Sequence, residues 1–188
     1  RNQLAQLSFW VATKQFDKAL QHWPSAMAQL EQLSVSHTSI YSRIHLIQSL
    51  AQLRKTGNRG PNEVELAQVL AQAVEQAQTM GDRKAEAYAL GNLGGLYEQT
   101  QQWSSATALT QRALDIAQTL DAAELMYPWQ WQLGRILNQQ GKKDDAIAAY
   151  RAAVSDLKTL RGDLVAVSSE VQFSFKERVE PIYRELVG

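Results

Sequence analysis

The sequence predicts an all-α chain, and three observations predict it. Ala, Gln and Leu, which enter helices at little cost because none branches at Cβ, crowd the sequence. Only 4 prolines and 10 glycines interrupt 188 residues, and strand-like alternation of apolar and polar residues is missing almost everywhere. The same small and aromatic residues also return at matched offsets, the signature of a repeat.

The repeat is clearest toward the carboxyl end. Leu133-Gly134 is followed by Ala146, Tyr150 and Ala153, and 40 residues earlier Leu93-Gly94 is followed by Ala106, Thr110 and Ala113. A further step of 40 from Ala113 reaches Ala73, and a step of 47 from Ala73 reaches Ala26. Ala19, Trp23 and Ala26 then repeat the Ala, aromatic, Ala spacing of Ala146, Tyr150 and Ala153. The seven extra residues fall in the longer loop Lys55–Asn62.

Helices are placed in order over 2–12, 17–33, 37–55, 62–80, 83–99, 104–120, 123–140 and 144–161. Pro61-Asn62 with Glu65 opens the fourth in capping-box style. Gly81 and Gly141 stop helices in a left-handed conformation, while Asp82, Ser104 or Ser105, and Asp144 start the next ones. Within each unit the first helix carries a small residue where its partner approaches, and the second carries Ala two turns apart on one face. A single pair cannot bury its apolar face, so the pairs must stack. The expected architecture is a right-handed α-solenoid of about four pairs over 1–161, with units of about 1–33, 37–80, 83–120 and 123–161. A linker and a capping helix follow over 162–188, with Ser174-Phe175-Lys176-Glu177 as the capping box and Pro181 as a kink.

Composition excludes several functions. The 19 basic and 19 acidic side chains cancel, so no global field favours nucleic acid or an anionic membrane. The absence of cysteine removes disulfides, thiolate ligands and a cysteine nucleophile. No apolar stretch nears the roughly 20 residues a membrane span needs. The opening Arg1-Asn2-Gln3-Leu4 lacks Met and a secretory pattern, which reads as a fragment of a longer protein, with the cytoplasm favoured over export.

The Leu-Gly, Ala, aromatic, Ala helix pair resembles the tetratricopeptide repeat (TPR), most strongly over 83–161, although the period is 40 where about 34 is usual. Trp129–Arg135, Ala146–Val154, Leu160–Leu164 and Gln172–Val187 further resemble the repeat region of cyanobacterial TPR proteins that carry a CHAT domain. That resemblance implies a caspase-like peptidase domain with a His/Cys pair downstream and a contact with it. None of that domain's catalytic residues has a counterpart among these 188 residues.

No motif in the chain carries chemistry, cofactor or metal. Gly91–Gly95 lies inside a helical pattern with no preceding strand, so it packs helices and does not cradle phosphate. Gly57-Asn58-Arg59-Gly60 imitates a nucleic-acid clamp without the sheet that such a module needs. Gly141-Lys142-Lys143 lacks the upstream glycine and following hydroxyl of a nucleotide loop, and His22, His37 and His45 stand apart from acids at ligand spacing. The expected working surface is a concave groove of first helices. It is lined by Leu4 and Ser8, then His45, Ser49 and Gln52, then Tyr88, Gly91 and Glu98, then Trp131, Arg135 and Asn138. Trp131 and Arg135 are spaced for a cation–π pair, against the alternative that Trp131 packs between helices. With no ladder of cations to clamp a carboxylate, the expected partner is a protein or peptide segment, with self-assembly and small-molecule sensing as alternatives.

Overall fold

The computed structural model describes residues 2–57 and 60–164. The proposed tail helix and part of the Gly57–Gly60 turn lie outside the described residues. Eight helices are described: α1 Asn2–Ala12, α2 Phe16–Glu31, α3 His37–Gly57, α4 Glu63–Met80, α5 Arg83–Gln99, α6 Trp103–Thr119, α7 Ala123–Gln139 and α8 Lys143–Leu164. The all-α class holds, and most helix ends fall within two residues of those read from the sequence. The chain divides into two compact units, Arg1–Ile116 and Ala117–Gly188.

Local chemistry explains the ends. Asn62 accepts from the Glu65 backbone N–H at 2.9 Å while Glu65 Oε2 accepts from the Asn62 N–H at 2.9 Å, so α4 starts on a closed capping box. Asp82 caps α5 by accepting from the Ala85 N–H at 2.9 Å. Two other expected starts are corrected. Gln102 and Lys142 occupy the cap positions of α6 and α8, because their carbonyls accept the first helical bonds from Ala106 and Ala146 at 2.9 and 3.0 Å. Ser104 and Ser105 therefore lie inside the first turn of α6, and Asp144 lies in that of α8, where its charge favours the positive end of the helix. The last helix, expected to end at 161, continues through Gly162 to Leu164. A helical glycine costs only about 1 kcal/mol without a left-handed turn to exploit it.

A shorter period underlies the 40-residue one. Left-handed residues recur at Gly81, Gln101, Asp121 and Gly141 with φ of 69°, 59°, 49° and 76°, a spacing of 20. At each, the next residue's N–H returns to a carbonyl five back: Asp82 to Ala77, Gln102 to Tyr97, Ala122 to Ala117 and Lys142 to Leu137, at 2.9 to 3.1 Å. Helices of 17 residues thus alternate with identical three-residue turns. Lys14 (φ 58°) closes α1 in the same way. A left-handed conformation costs an L-residue about 1–2 kcal/mol, part of which glycine loses again to its freedom in the unfolded chain. Gln101→Gly is expected to raise the unfolding free energy by up to about 1 kcal/mol. A denaturant midpoint that stays put or falls would show the strain to be offset by the glutamine side chain.

In the first unit α3 is the centre of packing. It lies against α1 and α2 of the preceding pair, against its own partner α4, and against α5. Its buried Ile40, Ile44, Ile47, Leu50 and Leu53 meet a core that includes Leu7, Leu30, Leu66 and Leu70, each worth about 1.5–3 kcal/mol when fully buried. The small repeat residues Ala19, Ala26, Ala73, Ala106 and Ala113 are also buried, Gly94 with them, while Trp23 is half-buried. In the second unit α7 packs along α8, with Ala146 and Ala153 buried between larger neighbours.

Candidate functional site

In the first unit three first helices lie side by side, α3 touching both α1 and α5. From Thr38, steps of three or four residues lead through Tyr41 and its neighbour Ser42 to His45, Ser49 and Gln52, so they share one stripe of α3, and none of them is buried. On the α1 side, the Ser49 and Ser8 hydroxyls meet at 3.0 Å. On the α5 side, the Tyr41 ring sits edge-on to Tyr88 with centroids 6.2 Å apart, and it stacks along its own helix on His45 at 6.5 Å. Ser8, His45, Ser49, Tyr41 and Tyr88 thus form one continuous strip across α1, α3 and α5. Gln52 is exposed at its far end on α3.

Tyr41 joins His45 to Tyr88, and the sequence reading missed it. A signal for it existed: Tyr41 and Tyr88 are 47 residues apart, the same offset that relates Ala26 to Ala73 across the long loop. On α5 the outward stripe runs through Tyr88 and Asn92, whose side-chain amide donates to the Tyr88 carbonyl at 2.7 Å. Gly91 is buried and Glu98 is half-buried farther along the helix.

The edge of the strip is electrostatically ordered. Burial alone would raise the Asp82 carboxyl pKa. The Ala85 N–H and the His37 imidazole, whose Nδ1 lies 2.6 Å away, outweigh it and hold the group below the ordinary aspartate range. Burial and then the Asp82 charge push the Tyr41 phenol upward, Lys84 opposing, so it stays a neutral hydroxyl at physiological pH. Because the folded Asp82 pKa is depressed, its stabilisation is present above the unfolded value and is lost as pH falls through the folded one. Asp82→Ala is expected to cost about 1 kcal/mol at neutral pH, with the difference from the parent chain shrinking below about pH 4. A pH-independent difference in urea midpoints would exclude this account.

Beside the strip, α1, the 33–36 linker and the start of α3 enclose a cleft of about 320 Å³. It is lined by Leu4, Ala5, Ser8, Leu33, Ser34, Ser36, Thr38, Ser39, Ser42, His45 and Leu46, and it is open on one side. Two expected groove residues, Leu4 and Ser8, therefore meet His45 in one concavity.

Many solved structures are similar to this chain, among them the following two. A Podosopora anserina chain of nearly identical TPR-like repeats, named for the kinesin light chain, matches 98% of this chain with 85% of its own length covered, at 16% identity and a TM-score of 0.58. MamA of AMB-1 matches over 98% of this chain and 95% of its own at 18% identity, with a TM-score of 0.52. The fold is TPR-like. No family model and no curated protein matches the sequence.

Within the TPR-like second unit, α7 holds the other sequence-predicted residues. Trp131 is 5% exposed and its ring lies 4.5 Å, centroid to centroid, from Tyr150 of α8, beside Ala153 and Leu157. Of the two readings of Trp131, packing between helices is the one its position fits. Arg135 is half-buried and Asn138 exposed farther along α7. Gly134 is where the helices come closest: an added Cβ would stand 2.5 Å from Tyr150 Cδ1 and Cε1. Among the described residues no three His, Asp or Glu side chains gather as a metal site, and no helix is long and apolar enough to cross a membrane.

Proposed function

We propose that this TPR-like chain is a protein-interaction scaffold that receives a segment of another protein along the strip of α1, α3 and α5. The observation that carries the reading is the alignment of Ser8, Ser49, His45, Tyr41 and Tyr88 across three packed helices. Tyrosine supplies large contact area with few rotatable bonds, and helices that are already packed hold it in place, which lowers the ordering cost of binding. Trp131 adds nothing to such a surface, since its ring is enclosed.

The resemblance of 127–187 supports a finer proposal, that the chain serves as the recognition arm of a longer protein with a CHAT peptidase domain after it. The gene sequence beyond Gly188 checks that part: a caspase-like domain with a His/Cys pair supports it, and an unrelated domain removes it.

The binding reading is tested by selecting peptides on the intact chain from a displayed random library and measuring them against Tyr41→Ala/Tyr88→Ala. Selected peptides are expected to lose at least about tenfold in affinity for a double variant that keeps its helical circular dichroism, since truncating two aromatic anchors costs more than 1.4 kcal/mol. Equal affinity for parent and variant would place binding elsewhere.

A further inference from the structure

We infer that the cleft between α1 and α3 binds an uncharged carboxamide side chain, Asn or Gln, of an incoming protein segment; this rests on the strip reading and names the chemistry at one end of it. Its lining contains no Asp, Glu, Lys or Arg. A carboxylate or ammonium entering it would lose hydration without meeting an opposite charge. The apolar walls, Leu4, Leu33 and Leu46, suit a methylene stem.

The hydrogen-bonding groups decide the rest. Ser36 and Ser39 are spent on each other: each backbone N–H meets the other's hydroxyl, at 2.9 and 3.1 Å, and Ser39 Oγ donates to the Ser36 carbonyl. Ser42 donates to the Thr38 carbonyl at 2.7 Å. Ser8 shares one hydrogen bond with Ser49 and keeps capacity for another. The Ser34 and Thr38 hydroxyls have no partner among the described residues. His45 Nδ1 lies 3.1 Å from Gln48 Oε1, so in the neutral ring Nδ1 donates and Nε2 remains an acceptor. The cleft therefore offers donors and acceptors together, with no carboxylate, ammonium or guanidinium among them. A primary amide presents two N–H donors and a carbonyl acceptor, and matches that set; a carboxylate presents acceptors alone. The volume of about 320 Å³ equals roughly ten water volumes, room for such a side chain with its flanking backbone. The open side suits a segment that passes through more than a metabolite that must be enclosed.

The probes are blocked single residues, N-acetyl-glutamine, -asparagine, -glutamate and -lysine methylamides, titrated at millimolar concentration into the isotopically labelled chain. The glutamine or asparagine probe is expected to shift the backbone amide resonances of Ser8, Thr38 and His45, with glutamate and lysine at least about fivefold weaker. Thr38→Val, which keeps shape and removes the hydroxyl, should weaken the amide probe by about fivefold, the loss of one hydrogen bond. Tighter binding of glutamate would make the cleft an anion site at the start of α3, and no shift with any probe would leave it without a ligand; both overturn the inference. Peptides that need Tyr88 but ignore Thr38→Val would remove the cleft and leave the strip standing. Amide probes that bind the cleft while library peptides ignore Tyr41 and Tyr88 would do the reverse.

Discussion

Trp131→Ala is expected to lower the unfolding free energy by about 3–5 kcal/mol, the range for truncating a large aromatic in a core. The ring is 5% exposed and tilted against Tyr150, with Ala153 and Leu157 around it. Truncation leaves a void bounded by residues of two helices, and the Tyr150 ring loses the surface it rests on. Asn138→Ala, on the same helix but exposed, is expected to change stability by no more than about 0.5 kcal/mol. Urea denaturation followed by circular dichroism reads both. If Trp131→Ala were as stable as the parent chain, the indole would not belong to the α7–α8 core.

Gly134→Val should cost about 1–3 kcal/mol, although valine is the better helix former. The first carbon added would sit 2.5 Å from two Tyr150 ring atoms and 2.9 Å from a third. Trp131 stands 4.5 Å from the same ring, centroid to centroid, which limits the ways it can retreat. Tyr150→Ala in the same chain removes the obstacle. The double variant should therefore lose less than the sum of the single losses, with a coupling above about 0.5 kcal/mol. Additive losses would show that Gly134 is needed for another reason.

These two positions show how far the sequence was legible. The spacing of Gly134 to Tyr150, repeated as Gly94 to Thr110, marked a close approach of helices, and the added-Cβ distance gives that approach its atoms. Trp131 was ambiguous. A tryptophan four residues before an arginine satisfies a binding face and a packing face equally well, and the choice depends on α8, which the local sequence does not describe. Tyr41 carries the 47-residue offset to Tyr88, but its place between that ring and His45 comes from the packing of α3 against α5. The cleft was legible as Leu4, Ser8 and His45, while its serine-rich wall comes from a linker that belongs to no repeat.

Helix class, the approximate ends of eight helices and their 40-residue phase came from the chain's own order of residues. Propensity, capping and small-residue spacing act over a few neighbours, and a linear string preserves neighbours. Gln101 and Asp121 adopt the left-handed turns of Gly81 and Gly141 without a glycine to announce them, so the 20-residue half-period became visible in the backbone alone. Which aromatic rings are enclosed and which form a surface is likewise a property of packing. The partner rings come from other helices: for Trp131 it is Tyr150 on the next helix, and for Tyr41 it is Tyr88 on α5, two helices farther on.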